Sequence, residues 1–371
     1  MRQMKFTCAK TILSEAISVC SHAVSSKSGD SVIEGILIRC GEDVRLTGYN
    51  YKIGITKSID ANIARRGQAV INARVLGDIV RKLAGETVTI DVDERPAVTI
   101  TCGAAKFNIM AMNAADYPSL PEVEKYCGIN FTNASLKSII NQTIFAVSDN
   151  ENKPTHTGAL FELQENQLTV VGVDGYRMAV RNESVITTLP EARFIVPGDA
   201  LKELSRILPD NDEPCCVFTT KKFALFEFDT VTVVSRLLEG EFINYKAAIP
   251  ANQPIALRLD KSELIHAVER VSIIISERLK TPVRCLFEGT SLKLTCITSM
   301  GRSYDELTIP QCSETVEIGF NNAYLLDALK ACPEEEIIFE MKSGLSPCTI
   351  RPVEGNSFVY LILPVRLKAG E

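Results

Sequence analysis

Apolar and polar residues follow one order three times along the chain. Each copy opens with a short apolar strand and a polar cap, after which apolar residues recur at helical spacing, in KFTCAKTILSEAISVCSHAVS (5–25), NFTNASLKSIINQTIFAVSDN (130–150) and LRLDKSELIHAVERVSIIISE (257–277). This spacing predicts an amphipathic helix. Phe6, Phe131 and Leu259 are expected to match, so the copies lie 125 and 128 residues apart, a domain length rather than a solenoid period.

The pattern after the first helix is also shared by the three copies. Alternating apolar and polar residues predict a hairpin in residues 34–50, 157–175 and 283–301. An apolar strand then enters a second amphipathic helix in QAVINARVLGDIVRKLAG (68–85), RFIVPGDALKELSRILPD (193–210) and VEIGFNNAYLLDALKACP (316–333), and further strands close each copy. The sequence therefore predicts an α+β protein of three similar domains, each with two helices packed on antiparallel sheets.

Proline and polar residues cluster in two segments between the copies. These segments are YPSLPEVEKYCG (117–128) and AAIPANQPIA (247–256). A chain of 371 residues is long enough for three domains with separate cores. We expect the domains at 1–125, 129–250 and 255–371.

The composition and charge of the chain argue against several classes of protein. A net charge of −6 argues against a general affinity for nucleic acid, because a basic surface is its usual sign. The 12 cysteines are scattered, without a CxxC pair that would indicate a zinc site, so we expect them to be reduced and buried. Neither a bilayer-spanning run of about 18 apolar residues nor a signal-peptide pattern occurs, which predicts a cytoplasmic protein without membrane contact.

Five short motifs carry a resemblance to a known family. They are MKFT (4–7), NAADYPSLP (113–121), VDGYRMAV (173–180), LLEGEFINYKAAIP (237–250) and YLILPVRL (360–367). In these motifs and their order, which span the chain, the sequence resembles the bacterial sliding clamps, the beta subunits of DNA polymerase III. The resemblance implies the DNA clamp fold, in which a head-to-tail homodimer forms a ring whose helices line a hole for duplex DNA.

The function that the resemblance implies is that of a non-catalytic processivity factor in DNA replication. Such a clamp encircles double-stranded DNA without reading its sequence and tethers the replicative polymerase. The implied partners are the polymerase III alpha subunit, the clamp loader and other proteins with a clamp-binding motif, and no cofactor or metal is implied. The formal charge of the six predicted helical segments adds to +4, so the chain's acidity lies mostly outside the surface that would face DNA.

Six residues are candidates for DNA contact by position in the family. Lys27 follows the first helix, and Arg74 lies at the second. The full set is Lys27, Arg74, Asn150, Lys153, Arg278 and Lys280. The chain departs from family patterns at Gly198 and Asp199, where some clamps carry basic residues, and at Pro154 and Thr155, where tyrosines are found.

The motifs VDGYRMAV and YLILPVRL imply a peptide-binding groove, where partner proteins dock a short linear motif. An apolar groove with arginines and backbone groups at its rim suits an extended peptide. The implied lining is His156, Val173, Gly175, Tyr176, Arg177, Met178, Ile243, Ala247, Leu361, Leu363, Pro364, Val365, Arg366 and Leu367. His156 stands where a leucine is often found, and KAGE (368–371) extends past the usual end.

The dimer contact is implied at opposite ends of the chain. Lys106 and Phe107 of the first repeat are expected to face the third repeat of a partner, at Ile273, Ile274, Asp305 and Glu306. The alternative for these residues is an ordinary edge strand and a core helix.

Two other functions are weighed against a clamp. The chain has no GxxxxGK[ST], HExxH or GxSxG motif, and His22, His156 and His266 are far apart, which argues against an enzyme. The second alternative is a peptide-binding scaffold that does not encircle DNA. DNA linearisation distinguishes the two, since only an encircling clamp would escape from a cut circle.

Overall fold

The computed structural model describes residues 4–25, 29–93, 97–276 and 281–367. In the first repeat the elements are β1 (Met4–Ala9), α1 (Lys10–Ser21), β2 (Gly35–Cys40), β3 (Val44–Tyr49), β4 (Ile53–Ile59), β5 (Asn62–Arg65), β6 (Gly67–Asn72), α2 (Ala73–Lys82), β7 (Thr87–Val92), β8 (Ala97–Cys102) and β9 (Ala105–Met110). Asn72 caps α2, because its side-chain oxygen accepts a hydrogen bond from the backbone N–H of Val75.

The second repeat follows the same order, and the third does so except that its described residues contain no counterpart of β5. The second contains β10 (Ile129–Thr132), α3 (Asn133–Asn141), β11 (Gly158–Gln164), β12 (Gln167–Val173), β13 (Arg177–Ser184), β14 (Ile186–Thr187), β15 (Glu191–Pro197), α4 (Gly198–Ile207), β16 (Pro214–Thr219), β17 (Phe223–Phe228) and β18 (Val231–Arg236). The third contains β19 (Ile255–Asp260), α5 (Lys261–Ser272), β20 (Val283–Glu288), β21 (Ser291–Thr298), β22 (Gly301–Thr308), β23 (Val316–Phe320), α6 (Asn322–Ala331), β24 (Glu336–Met341), β25 (Cys348–Pro352) and β26 (Phe358–Ile362). The α+β class and the two helices per repeat are confirmed.

The expected match of Phe6 with Phe131 and Leu259 is wrong by two residues. The last strand residue before the first helix is Ala9 in the first repeat, Thr132 in the second and Asp260 in the third. Phe131 and Leu259 each precede that residue by one position, so they match Cys8. Buried residues agree, since Leu13, Ala16 and Ile17 recur as Leu136, Ile139 and Ile140 and as Leu264, Ala267 and Val268. A shift of two keeps every strand side chain on its own face, so the alternation of the sequence did not reveal it.

Contacts divide the chain into two units, each with two antiparallel sheets. The first unit comprises residues up to 137, 186–189 and 199–237. It has a five-stranded sheet, β5-β1-β7-β8-β9, and a nine-stranded sheet, β14-β10-β16-β17-β18-β4-β3-β2-β6. Helices α1 and α2 pack on each other in this unit.

The second unit comprises residues 138–185, 190–198 and those from 238 onward. It has an eight-stranded sheet, β15-β11-β12-β13-β26-β25-β24-β19, and a four-stranded sheet, β22-β21-β20-β23. Helices α5 and α6 pack on each other over the core of this unit. The two units thus divide the second repeat between them.

Neighbouring repeats are joined by strand pairs within these sheets. In the first unit β18 of the second repeat pairs antiparallel with β4 of the first. In the second unit β26 of the third repeat pairs antiparallel with β13 of the second. We call these two strand pairs the joints. Each continues one sheet from one repeat into the next.

No helix in the described ranges has the length and apolar character needed to cross a bilayer.

Candidate functional site

The apolar floor of the candidate groove is a buried cluster on one face of the eight-stranded sheet. Val173, Met178 and Leu361 of the predicted lining lie in this cluster, and Ile243 packs against it. Strands β12, β13 and β26 place the first three side by side, because Val173 pairs with Met178 and Met178 with Leu361. The structure therefore brings together lining residues that are far apart in the sequence.

A tight turn between β12 and β13 forms one rim of the groove. One carboxylate oxygen of Asp174 accepts hydrogen bonds from the N–H groups of Tyr176 at 2.8 Å and Arg177 at 3.0 Å. Gly175 has φ of +97°, which glycine adopts without strain. The exposed Tyr176 accepts a hydrogen bond at its carbonyl from the N–H of Leu363, at 2.8 Å. The rim therefore includes the segment that follows β26.

The Arg177 side chain is held by the protein itself. Its Nε lies 3.0 Å from Asp174 Oδ2, and its Nη1 lies 2.6 Å from Asp327 Oδ2 on α6. The guanidinium carbon also lies 4.4 Å from the centre of the Tyr324 ring. Charge-assisted hydrogen bonds of this kind are strong. Arg177, a member of the predicted lining, therefore fastens α6 to the turn.

The carboxy-terminal segment continues from the candidate groove to β23, an edge strand of the four-stranded sheet. The Val365 N–H donates to the Gly319 carbonyl on β23 at 2.8 Å. A Cβ atom at Gly319 would lie 2.8 Å from the backbone oxygen of Val365, so this strand position favours glycine. Val365 and Leu367 are thus placed on β23. Ala247 and Arg366 are exposed, Pro364 is half-buried, and KAGE lies outside the described residues.

His156 is a buried polar residue in this apolar surrounding. Its side chain lies beside Phe242, with 6.1 Å between the ring centres. Nδ1 is buried and has no hydrogen-bond partner among the residues that the structure describes. Burial, followed by the nearby Lys153 ammonium, lowers the pKa of His156 from its ordinary value of 6.5. The folded protein therefore favours the neutral imidazole.

Replacing His156 with leucine is expected to stabilise the protein by about 1 kcal/mol at neutral pH, because it removes an unpaired buried nitrogen. Since the folded pKa is depressed, the unfolded chain binds a proton first, and wild-type stability falls as the pH drops below about 6.5. Thermal unfolding of both proteins at pH 7.5 and 5.5 measures this. The stability difference should widen at pH 5.5, and an equal loss in both proteins would refute the assignment to His156.

Four residues beside the groove were missed from the sequence. Phe242 and Tyr245 belong to the buried cluster, and the motif LLEGEFINYKAAIP contained the signal, since both are aromatic residues within it. Tyr324 stacks on Tyr176, with ring centres 6.1 Å apart. Tyr324 and Asp327 lie on α6, and nothing in the sequence links a helix residue to an arginine 150 positions earlier.

Three of the six candidate DNA contacts lie in the described residues. Arg74 is at the start of α2 with its side chain 91% exposed, 3.9 Å from Asp78. It lines a cavity of about 900 Å³ between α1 and α2, together with the hydroxyls of Ser14, Ser18 and Ser21. Asn150 and Lys153 are exposed in the loop before β11. Lys27, Arg278 and Lys280 lie outside the described residues.

Four of the six candidate dimer residues lie on two strands at sheet edges, and the other two follow α5. Lys106 and Phe107 lie on β9, which ends the five-stranded sheet, and Asp305 and Glu306 lie on β22, which ends the four-stranded sheet. The exposed large apolar side chains near them are Phe107, Met110, Ile273, Ile297, Met300 and Tyr304. Asp305 is paired with Arg270 of α5 at 2.6 Å. Ile274 adjoins Ile273 directly after α5.

Family models and relatives match almost the whole chain. Models of the DNA polymerase III beta subunit match as N-terminal domain at 4–121, central domain at 130–244 and C-terminal domain at 246–366. A beta sliding clamp of Staphylococcus aureus is 31% identical over 374 residues, which cover 98% of this chain and 99% of the relative.

Solved structures are similar over the same length. The DNA polymerase sliding clamp of Bacillus subtilis is 30% identical with a TM-score of 0.95, covering 99% of this chain and 100% of that one. A sliding clamp of Bartonella birtlesii, solved with griselimycin bound, is 26% identical with a TM-score of 0.92, covering 98% and 100%.

Proposed function

The chain belongs to the DNA polymerase III beta subunit family, the beta sliding clamps, and from this we propose how it acts: two copies close into a ring around duplex DNA. The predicted family, the role as a processivity factor in DNA replication and the absence of an enzymatic activity are confirmed by the matches. The ring, its contacts and its individual partners are proposals, as are the domain limits 1–125, 129–250 and 255–371 and the cytoplasmic location.

The observation that carries the ring is a pair of edge strands equivalent to those in the two joints. Strand β9 occupies the place in the first repeat that β18 and β26 occupy in the second and third. Strand β22 occupies the place in the third repeat that β4 and β13 occupy in the first and second. A third joint, between β9 of one copy and β22 of another, uses both. Repeated twice, this head-to-tail contact closes a dimer.

The sheet edges formed by β6, β15 and β23 do not indicate a partner strand from another copy. Strands β6, β15 and β23 are edges in all three repeats. By contrast, β9 and β22 are edges although their equivalents β18, β26, β4 and β13 lie inside sheets and pair at the joints. An exposed edge strand with apolar side chains is a template for pairing with another chain.

The joints also fix the register that we propose for the dimer. At the first joint Val231, which begins β18, lies opposite Lys57, and at the second Phe358, which begins β26, lies opposite Arg181. The residue equivalent to Val231 and Phe358 is Ala105, at the start of β9. Lys57, Arg181 and Asp305 occupy equivalent positions in the three repeats. They lie opposite Leu46, Val170 and Leu294, respectively, which are equivalent residues of the preceding strands β3, β12 and β21. Ala105 is therefore expected to pair with Asp305 of the partner copy.

This register gives each exposed side chain a neighbour. Phe107 falls opposite Ser303. Because the Ser303 hydroxyl donates to the Val271 carbonyl of α5, this face of β22 lies against α5. The Phe107 ring is therefore directed toward the end of α5, where Ile273 lies. Lys106 falls opposite Tyr304 on the other face, diagonal to the Glu306 carboxylate, within reach of a cross-strand pair. This register supports the sequence-based contact of Lys106 and Phe107 with Ile273 and Glu306, and it brings Asp305 opposite Ala105.

Duplex DNA is proposed to pass the helical faces and be held chiefly by enclosure. Arg74, Asn150 and Lys153 supply weak, sequence-independent phosphate contacts, with Lys27, Arg278 and Lys280 proposed beside them. A clamp that must move along DNA is expected to make few phosphate contacts, because each contact adds to its salt-dependent affinity for the DNA.

Arg74→Ala is expected to lower the salt slope of DNA retention by about one phosphate contact. The measurement is the fraction of protein retained at equilibrium on a short linear duplex across a salt series, since enclosure would hold the protein on a nicked circle at any salt. Arg39→Ala is the matched control, because Arg39 is an exposed arginine on β2 of the same unit and lies outside the candidate DNA contacts. Equal slopes for the Arg74 variant and the wild type would remove Arg74 from the DNA contacts.

The groove is proposed to dock peptide motifs of the polymerase III alpha subunit, the clamp loader and other clamp-binding proteins. Its buried apolar floor and fixed rim suit an extended peptide. A relative is solved with griselimycin bound, and we propose that this chain binds griselimycin in its candidate groove, which gives a probe for that groove.

Solution mass tests the ring directly. Light scattering of the purified protein should give about twice the 40.8 kDa of one chain, independent of concentration over the micromolar range. A stable monomer at those concentrations would leave no closed ring and would favour the scaffold alternative.

A further inference from the structure

A carboxylate outside the predicted lining lies at the centre of the contacts that hold the groove wall. Glu162 is on β11, two residues from Leu160 of the apolar cluster, and only 13% of its side chain is exposed. Its Oε2 accepts a hydrogen bond from the Tyr245 hydroxyl at 2.7 Å and lies 2.9 Å from Lys246 Nζ. Arg193, across the sheet on β15, brings its Nε to 3.8 Å from Oε1.

The partners of Glu162 belong to the segment that carries the groove wall. Tyr245 and Lys246 begin the short 3₁₀ turn Tyr245–Ala248, which contains Ala247, and the Tyr245 N–H donates to the Ile243 carbonyl at 2.9 Å. Tyr245 is buried in the apolar cluster, and Lys246 Nζ lies 5.5 Å from the centre of its ring. Ile243 and Ala247, two members of the predicted lining, therefore flank the contact with Glu162.

We propose that Glu162 is a positioning residue of the groove: it fastens the Tyr245–Ala248 turn to β11 and so sets the place of the Ile243 and Ala247 wall. The inference rests on the proposed docking function of the groove. Glu162 acts through Tyr245 and Lys246 and does not itself touch the ligand.

The chemistry of the three side chains supports this role. The Tyr245 hydroxyl and Lys246 ammonium are both donors, so a single carboxylate satisfies both, and a hydrogen bond to a charged group is among the stronger ones. Hydrogen bonds from Tyr245 and Lys246 outweigh the effect of burial and lower the pKa of Glu162. Without the carboxylate, the partly buried Tyr245 hydroxyl loses its acceptor, and the turn has lost its polar attachment to the sheet.

The test measures griselimycin affinity by isothermal titration on the full-length dimer. Glu162→Gln keeps an acceptor for Tyr245 but loses the charge for Lys246, and it should weaken binding by about 5-fold, as expected for one lost charge-assisted bond. Tyr245→Phe should weaken it similarly. A double variant of Glu162→Gln and Lys246→Met should be no weaker than either single one, because both changes remove the same ion pair.

Two further variants separate positioning from a general loss of structure. Lys246→Met should weaken binding, and Lys246→Arg, which keeps the charge, should restore most of the loss. Glu191→Gln is the matched control, since Glu191 is an exposed glutamate on the neighbouring strand β15, and its affinity should equal the wild-type value. Hydrogen exchange should quicken at residues 243–248 in Glu162→Gln, with unchanged dimer mass.

The outcomes distinguish this inference from the proposed function. If the wild type binds griselimycin and Glu162→Gln binds equally well, or if the effects of Glu162→Gln and Lys246→Met add, the positioning role of Glu162 is wrong and the groove assignment stands. If the wild type does not bind griselimycin, the ligand assignment of the groove and this inference both fall.

Discussion

Ile273→Asp is expected to convert the dimer into monomers. Ile273 follows α5 with 80% of its surface exposed in the single chain, and the proposed register directs Phe107 of the partner toward it. A head-to-tail dimer contains this contact twice. If each aspartate costs about 2 kcal/mol, as for a central interface residue, the two cost about 4 kcal/mol and raise the dimer Kd by about a thousandfold.

The control for this prediction is another exposed isoleucine. Ile186→Asp makes the same change at a side chain that is 79% exposed on β14, away from β9 and β22, and should remain dimeric. Sedimentation equilibrium measures both variants beside the wild type. A dimer of wild-type strength in Ile273→Asp would place the interface elsewhere, and monomers in Ile186→Asp would point to β14 as the contact.

Leu363→Asp is expected to abolish most griselimycin binding while the protein stays folded. Leu363 follows β26 at the groove rim, where its N–H is bound by the Tyr176 carbonyl, and its side chain is 37% exposed. Aspartate keeps that backbone hydrogen bond but places a charge beside the apolar floor. Losing the burial of one leucine by ligand costs about 2 kcal/mol, which corresponds to roughly 30-fold weaker binding.

The matched control is Leu345→Asp, because Leu345 is an exposed leucine in the loop between β24 and β25 of the same unit. Isothermal titration with griselimycin compares the two variants, and both should keep the dimer mass. A wild-type affinity in Leu363→Asp would mean that the ligand binds elsewhere. An equal loss in both variants would mean that the charge acts through general destabilisation.

The repeated pattern of the sequence predicted the two helices of every repeat, because burial on one helical face leaves a direct record of period 3.6. It matched the first strands of the repeats with an error of two residues, since a shift of two leaves the inward and outward faces of a strand unchanged. The joints had no local signal. Pairing of β18 with β4 links residues about 175 positions apart, and only the folded chain reveals it.

The family motifs predicted the candidate groove residues that they contain. Residues that lie beside the groove only through tertiary contacts were missed. Val173, Met178 and Leu361 meet as the motifs implied. The attachment of Arg177 to Asp327, and of Glu162 to Tyr245, depends on which strand or helix lies beside which, so residue type alone did not indicate it.

Retention on DNA of different topology tests the central claim, that the protein holds DNA by enclosing it. The loading step should require an ATP-driven clamp loader, since the sequence contains no nucleotide-binding motif of the GxxxxGK[ST] type. Clamp is loaded on a nicked circular duplex, washed in high salt and counted before and after a restriction enzyme cuts the circle. We predict that it stays on the circle and leaves the linear product, and equal retention on both forms would contradict enclosure.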